Sequence, residues 1–264
     1  MLTVEHVTVE FGGLRAIDDV TFEIGSDQIV SIVGPNGAGK TTLLNAICGA
    51  VTKSHGQVIH NGIDISQTHP SKIARHGIGR SFQDPQLLED ATVLENVLCG
   101  AHTTIGYNLA DQIYRRRRVR RLEKAATERA CELLELVGLP GMLHVDASEL
   151  AYGARKIVDI VRATMSQPML LLLDEPSSGL DRGERHQVEQ MLMSIRRQFG
   201  IPMLVVEHHM DLVRRISDRV VGLIAGGVAA SGTPSEVLDS EDFRAQITGA
   251  VSTTTPDPHA HEGV

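Results

Sequence analysis

Cysteine is scarce in this chain. The three present, Cys48, Cys99 and Cys131, stand far apart in apolar surroundings with no C-x-x-C spacing, which excludes a disulfide framework and a cysteine-based zinc site. A reducing cytosol is the expected compartment. Long apolar runs are absent too: none approaches the roughly 18 residues needed to cross a bilayer, and Met1 leads directly into strand-like sequence without a charged and apolar leader. Any link to a membrane is therefore expected to run through another protein. Positive charge is in deficit, with 25 Lys plus Arg against 33 Asp plus Glu and a net charge of -8. That balance repels a phosphate backbone and argues against nucleic acid as a partner.

What is present is enough for a sizeable core, with 264 residues of which 42% are apolar. The opening segment alternates, Val7, Val9 and Phe11 on one face and Thr8 and Glu10 on the other, and Phe22 with Ile24 repeats the pattern, as half-buried antiparallel strands do. Ile29 to Val33 is a nearly continuous apolar run that predicts a fully buried strand. A glycine-rich loop follows, then a helical pattern of Leu43, Leu44 and Ile47 closed by Gly49. Val58 and Ile59 approach Asn61-Gly62 before Ile63 and Ile65, which predicts a tight hairpin. Thr92 with Glu95, and Thr233-Pro234 with Glu236, mark helix starts.

A long polar helical stretch from about Asp111 to Val137 carries Arg115, Arg116, Arg117, Arg118, Arg120 and Arg121. It reads as a solvated face balanced by Glu123, Glu128 and Glu132, with approach to lipid headgroups as the alternative. Beyond it, strand-like Met169 to Leu173, Met203 to Val206 and Arg219 to Ile224 alternate with helical segments, which predicts a mostly parallel sheet covered by helices. Met191, Met193 and Met203 read as core filling. The tail from Ser252 to Val264 is polar and expected to be disordered, so the metal-like spacing of His259 and His261 there reads as chance.

Gly34-Pro35-Asn36-Gly37-Ala38-Gly39-Lys40-Thr41, followed by Thr42, fits G-x-x-x-x-G-K-[ST] between the buried strand and the helix. Glycines let backbone N–H groups turn inward around phosphates, the helix start adds its dipole, Lys40 reaches the β and γ phosphates, and Thr41 offers a hydroxyl to Mg²⁺. ATP and Mg²⁺ are thus the expected ligands. The metal needs a carboxylate as well, and Asp174 at the end of the second apolar strand supplies it. Glu175, the next residue, is the expected general base for an attacking water; its alternative reading is a charge at a helix start at Pro176.

Four further segments go beyond a generic phosphate-binding loop. Leu150-Ala151-Tyr152-Gly153 resembles the signature loop of ABC ATPases, Ser178-Gly179-Leu180-Asp181 their D-loop, His208 after Glu207 their switch histidine, and Gln83 in Ser81-Phe82-Gln83 their Q-loop glutamine. The resemblance covers about residues 1 to 245. It implies an α/β fold: a P-loop NTPase core with a mostly parallel sheet, an antiparallel β subdomain and a helical subdomain at about 84–165, all within a nucleotide-binding domain of residues 1–251. It also implies that Phe11 stacks on adenine, an aromatic there being otherwise core. Gln83 would touch the Mg²⁺ shell and sense the permease, His208 would contact the γ-phosphate and the water, and the signature loop would serve the ATP of a partner subunit. His209 is assigned no role.

Phe11-Gly12-Gly13-Leu14, Gly79-Arg80-Ser81-Phe82-Gln83, Thr92-Val93-Leu94-Glu95-Asn96-Val97 and the arginine-rich stretch resemble the ATPases of branched-chain amino acid importers and their urea and amide relatives. Ala154-Arg155 departs from them where a glutamine-containing pair is usual, and the closing Tyr-Leu-Gly is missing. The partners implied are a second ABC ATPase subunit, transmembrane permease subunits and, indirectly, a solute-binding protein, with the chain peripheral on the inner face of the cell membrane. Ala151 stands where most signatures have serine, so the second ATPase is expected to differ from this one, a homodimer being the alternative. DNA-repair and chromosome ABC ATPases need long insertions that the stretch between Gly39 and Leu150 has no room for, and translation-linked ones carry two cassettes. A permease-free assembly ATPase of the iron-sulfur biogenesis type remains the rival.

Overall fold

The computed structural model describes residues 1–103 and 116–248. Arg115, the start of the arginine-rich stretch and the tail with His259 and His261 lie outside them. Four strands form an antiparallel sheet in the order β2-β1-β4-β5: β1 (Leu2–Phe11), β2 (Leu14–Ile24), β4 (His55–His60) and β5 (Ile63–Asp64). Asn61 and Gly62 both adopt positive φ, 48° and 78°, as a two-residue hairpin turn requires.

The second sheet has the order β10-β9-β3-β8-β7-β6. Its parallel strands are β9 (Arg219–Ile224), β3 (Ile29–Val33), β8 (Met203–Val206), β7 (Leu170–Asp174) and β6 (Ile78–Arg80), with β10 (Gly227–Gly232) antiparallel at the edge. Every residue of β3, β7 and β8 is buried. Side chains alternate between two cores: Val30, Ile32, Leu170, Leu172 and Leu204 join the antiparallel sheet and helix α1 (Lys40–Ile47) on one side. Ile29, Leu171, Leu173, Met203 and Val205 meet the helices on the other. Those are α3 (Val93–Cys99), α4 (Arg116–Leu136), α5 (Tyr152–Met165) and α6 (Arg182–Phe199). A third core joins β9 to α7 (Met210–Ile216), α8 (Pro234–Leu238) and α9 (Glu241–Thr248), while the single-turn α2 (Pro70–Ile73) leads into β6.

Register fixes what the sheet presents. Leu172 pairs with Leu204 and Asp174 with Val206, while Ile32 pairs with Val206 from the other side. The carboxyl ends of β3, β7 and β8 therefore deliver Gly34, Asp174-Glu175 and Glu207-His208 to one edge, the usual place for a ligand in such a sheet. Both anticipated helix starts form, each with a capping box, at Thr92 and Thr233, and Asp181 with Glu184 makes a third box that starts α6. Met191 and Met203 are buried and Met193 packs against the same core.

Four local expectations change. Thr8 is buried along with Val7 and Val9, because register shifts around His6, whose φ is 51°, break the alternation of β1. Phe11 is 51% exposed, which removes its core alternative. Cys99, the last residue of α3, is exposed, whereas Cys48 is buried. No helix starts at Pro176: β7 passes into a tight turn, with Ser178 N–H donating to the Glu175 carbonyl, and α6 begins only at Arg182.

Candidate functional site

The phosphate loop closes over the end of β3. Gly34 and Gly39 have φ of 156° and 97°, and a β-carbon at either would fall 2.2 Å from the Leu223 carbonyl oxygen or 2.4 Å from that of Ala16, so only glycine fits. Gly37, at φ 82°, has open space before it. A cavity of about 320 Å³ is lined by Ala16, Asn36, Gly37, Gly39, Lys40, Thr41, Thr42 and Glu175. Lys40 is buried, and its ammonium donates to the Gly34 and Pro35 carbonyls at 2.8 and 3.0 Å. Burial lowers its pKa, an effect that Glu175 and Asp174 oppose. Such a cation at a glycine-rich turn leading into a helix start is a place for phosphate.

Beneath the loop the Thr41 hydroxyl donates to Asp174 Oδ1 at 3.3 Å. Asp174 is buried, which raises its pKa; Arg80, with Nη2 3.8 Å from Oδ2, pulls it back, and Glu175 pushes it up again. A hydroxyl and a buried carboxylate side by side form a hard oxygen pair of the kind that suits Mg²⁺. Glu175 follows with φ 48°, its N–H donating to the Val206 carbonyl at 3.0 Å. Gln83 Nε2 donates to Glu175 Oε2 at 3.4 Å, and His208 Nδ1 lies 3.6 Å from the same oxygen. Residues from two other segments thus converge on the Glu175 carboxylate at the mouth of the phosphate cavity.

Not every expected residue enters it. Phe11 ends β1 opposite Leu14 and does not line the cavity, although Ala16 of the same hairpin does. Ala151, Tyr152 and Gly153 are likewise absent from its lining. Tyr152 is exposed and Gly153 is buried, pressed so close to Glu184 that a β-carbon would lie 2.6 Å from its Oε1. The signature helix begins at Tyr152, with Ala151 as an N-cap that makes no side-chain bond. Leu150 and Leu180 are buried, Ser178 and Gly179 continue the turn after Glu175, and Asp181 caps α6.

Four residues without an assigned role prove structurally central. Glu207 is fully buried, and its carboxylate accepts the backbone N–H groups of Ser177, His208 and His209, which fixes the turn that carries His208. His209 Nδ1 shares a 2.9 Å hydrogen bond with the Ser177 hydroxyl. Arg80 Nη2 donates to Asn45 Oδ1 at 2.7 Å and stacks on Phe82. Lys156 donates to the Glu175 carbonyl oxygen at 2.7 Å. A charged residue directly after an apolar strand, and one within an otherwise apolar helix face, were the available signals for Glu207 and Lys156.

Residues 17–178 match the family described as ABC transporter. The chain is 36% identical over 242 residues to the high-affinity branched-chain amino acid transport ATP-binding protein BraF of Pseudomonas aeruginosa, a span of 92% of this chain and 95% of that one. The corresponding protein LivG of Escherichia coli is 34% identical over the same shares. The phosphonates import ATP-binding protein PhnC of Nitratidesulfovibrio vulgaris is 35% identical over 94% of this chain and 91% of its own. Among solved structures, an ATP-binding cassette of an ABC transporter in its ADP conformation superposes with a TM-score of 0.81 at 29% identity, covering 94% of this chain and 98% of that chain. A dimeric cassette bound to ADP and Pi gives 0.72 at 26% identity, over 89% and 99%.

Proposed function

The chain belongs to the ABC transporter family and is an ATPase of it, and from that premise we propose that it powers an importer of branched-chain amino acids as one half of a dimer of cassettes. The observation that carries this reading is a cavity lined by Lys40, Thr41 and Glu175, with Asp174 bonded to Thr41 and with Gln83 and His208 beside Glu175. Identity to two named branched-chain amino acid transport proteins supports the substrate class. Among the described residues no helix is long and apolar enough to cross a membrane, so the permease is a separate chain in this reading.

Lys40 and the inward N–H groups of Gly37, Gly39 and Thr41 bind the phosphates, and Phe11 stacks on the base from the rim. Thr41 and Asp174 would hold Mg²⁺, with Gln83 beside them, and the ion would supply neutralisation of phosphate charge. Glu175 orients the water and takes its proton, and His208 donates to the γ-phosphate. The start of α5, where Ala151 and Tyr152 are exposed and Gly153 is buried behind them, faces the ATP of the partner, with Ser178 to Asp181 alongside. Because Ala151 brings no hydroxyl, the partner is a sister cassette whose own signature completes the other site. Permease subunits dock near Gln83, at the cavity of about 430 Å³ lined by Arg80, Phe82, Cys99 and Arg162, and a solute-binding protein feeds them. The complex sits on the inner face of the cell membrane.

Two experiments test this. Lys40→Ala should lose high-affinity ATP binding measured by calorimetry, since a charge-assisted contact worth roughly 1.5–3 kcal/mol disappears; unchanged affinity overturns the site. Deleting the chain's gene should abolish uptake of labelled leucine. Because a phosphonate importer's cassette is nearly as similar, loss of methylphosphonate uptake with leucine uptake intact would move the substrate to that class.

A further inference from the structure

Lys156 is a lysine where a lysine is costly: only 3% exposed, with burial lowering its pKa. Its ammonium donates to the Glu175 carbonyl at 2.7 Å and lies 5.4 Å from the centre of the Tyr152 ring. The carbonyl it holds belongs to a residue in the left-handed region, φ 48°, which a glutamate adopts only when its surroundings impose it. Ser178 N–H donates to the same carbonyl at 3.1 Å. The peptide that follows the carboxylate is therefore clamped by two donors, one of them charged.

The other end of the contact is equally defined. Tyr152 Oη donates to Asp84 Oδ1 at 3.3 Å, and the neighbouring Gln83 donates to Glu175 Oε2. Lys156, Glu175, Gln83-Asp84 and Tyr152 form a closed circuit. Tyr152 and Lys156 are separated by one turn of α5 and share its face. One end of that turn belongs to the loop that, in the dimer reading above, meets the partner's ATP; the other holds the base that serves this chain's own ATP.

We infer that Lys156 is a positioning residue that fixes Glu175 and ties it to the signature loop, so that engagement of the partner's ATP by Tyr152 and Gly153 sets the hydrolysis rate at this chain's own phosphate loop. The inference rests on the dimer reading of the preceding subsection. Lys156 acts through a backbone carbonyl and touches no reacting atom.

The test uses the full chain at saturating ATP and Mg²⁺, with ATP affinity, KM and kcat measured for Lys156→Met, Lys156→Arg, Tyr152→Ala and the Lys156→Met/Tyr152→Ala pair. Lys156→Met should leave ATP affinity and KM within about twofold while kcat falls about ten- to a hundredfold, the scale of a misplaced reacting group. Lys156→Arg, which keeps a charged donor, should recover part of the loss. Tyr152→Ala should lower kcat in the parent but add little in the Lys156→Met background, because the two act through one path. An unchanged kcat in Lys156→Met overturns the inference, and so does full additivity of the pair. Should Lys156→Met lose ATP binding through misfolding, Lys156→Gln decides by the same comparison. Failure of the underlying reading is distinct: the Glu175→Gln chain would show no ATP-dependent association with a second cassette by ultracentrifugation, whatever the kcat of Lys156→Met.

Discussion

Glu175 meets two demands at once, a carboxylate within reach of Gln83 and His208 and a backbone at φ 48° that turns the chain sharply out of β7. Replacing the carboxylate alone separates them. Glu175→Gln keeps the shape and the hydrogen-bonding reach but loses the base, so ATP affinity should persist while kcat drops by about a hundredfold or more. Steady-state kinetics beside equilibrium ATP binding checks this, and a variant that turns over like the parent would remove Glu175 from the role. The carboxylate was legible in the sequence because it follows Asp174 at the end of an apolar run. Its supports were not: Lys156 lies on another element, and Arg80 reaches Asp174 and Asn45 only once β6 has paired with β7 and α1 has packed on that sheet.

Elements were legible where one periodicity governs them. Ile29 to Val33, Met203 to Val206 and Arg219 to Ile224 coincide with strands, since burial on both faces leaves an unbroken apolar run. β1 was less so, because the bulge near His6 turns Thr8 inward, a backbone event that no side-chain pattern announces. Helix starts are set by local hydrogen bonds, and those can be tested singly. In the box that starts α6, Asp181 accepts Glu184 N–H at 2.9 Å and Glu184 returns the bond to Asp181 N–H. Asp181→Ala should cost about 0.5–2 kcal/mol, seen as a fall of roughly 2–4 °C in Tm per kcal/mol by calorimetry. The boxes at Thr92 and Thr233 also shape the acid response. Backbone hydrogen bonds, and then the threonine hydroxyls, lower the pKa of Glu95 and Glu236. A lowered carboxylate pKa gives stability that is complete above the ordinary glutamate value of 4.5 and lost as pH falls through the lower folded value. The Glu95→Gln/Glu236→Gln pair should therefore flatten the loss of stability below about pH 4.5, measured by urea unfolding across pH; an unchanged acid limb would show that these boxes contribute nothing to it.

At the scale of the molecule the proposed dimer makes the signature loop one half of a site that another chain completes. Ala151 caps α5 without a side-chain bond, leaving the helix start open toward solvent. Ala151→Ser restores a hydroxyl, a charge-assisted donor worth roughly 1.5–3 kcal/mol toward a phosphate. ATP-dependent dimerisation of the Glu175→Gln chain should then tighten about ten- to a hundredfold by ultracentrifugation. Equal affinities with and without the hydroxyl would show that Tyr152 or the backbone already takes its place, and the case for unlike partners would fall. That case came from the sequence alone, since a missing serine is visible there.

The two faces of β7 belong to different cores, Leu170 and Leu172 to one, Leu171 and Leu173 to the other. A strand shared in this way has no cheap way to breathe: exposing its amides means opening both cores, so they exchange with solvent only when the whole molecule does. Asp174 rides on the end of that strand. The carboxylate proposed to hold the metal is thus anchored to a strand expected to be among the slowest to exchange, and whatever moves during a working cycle must move around it.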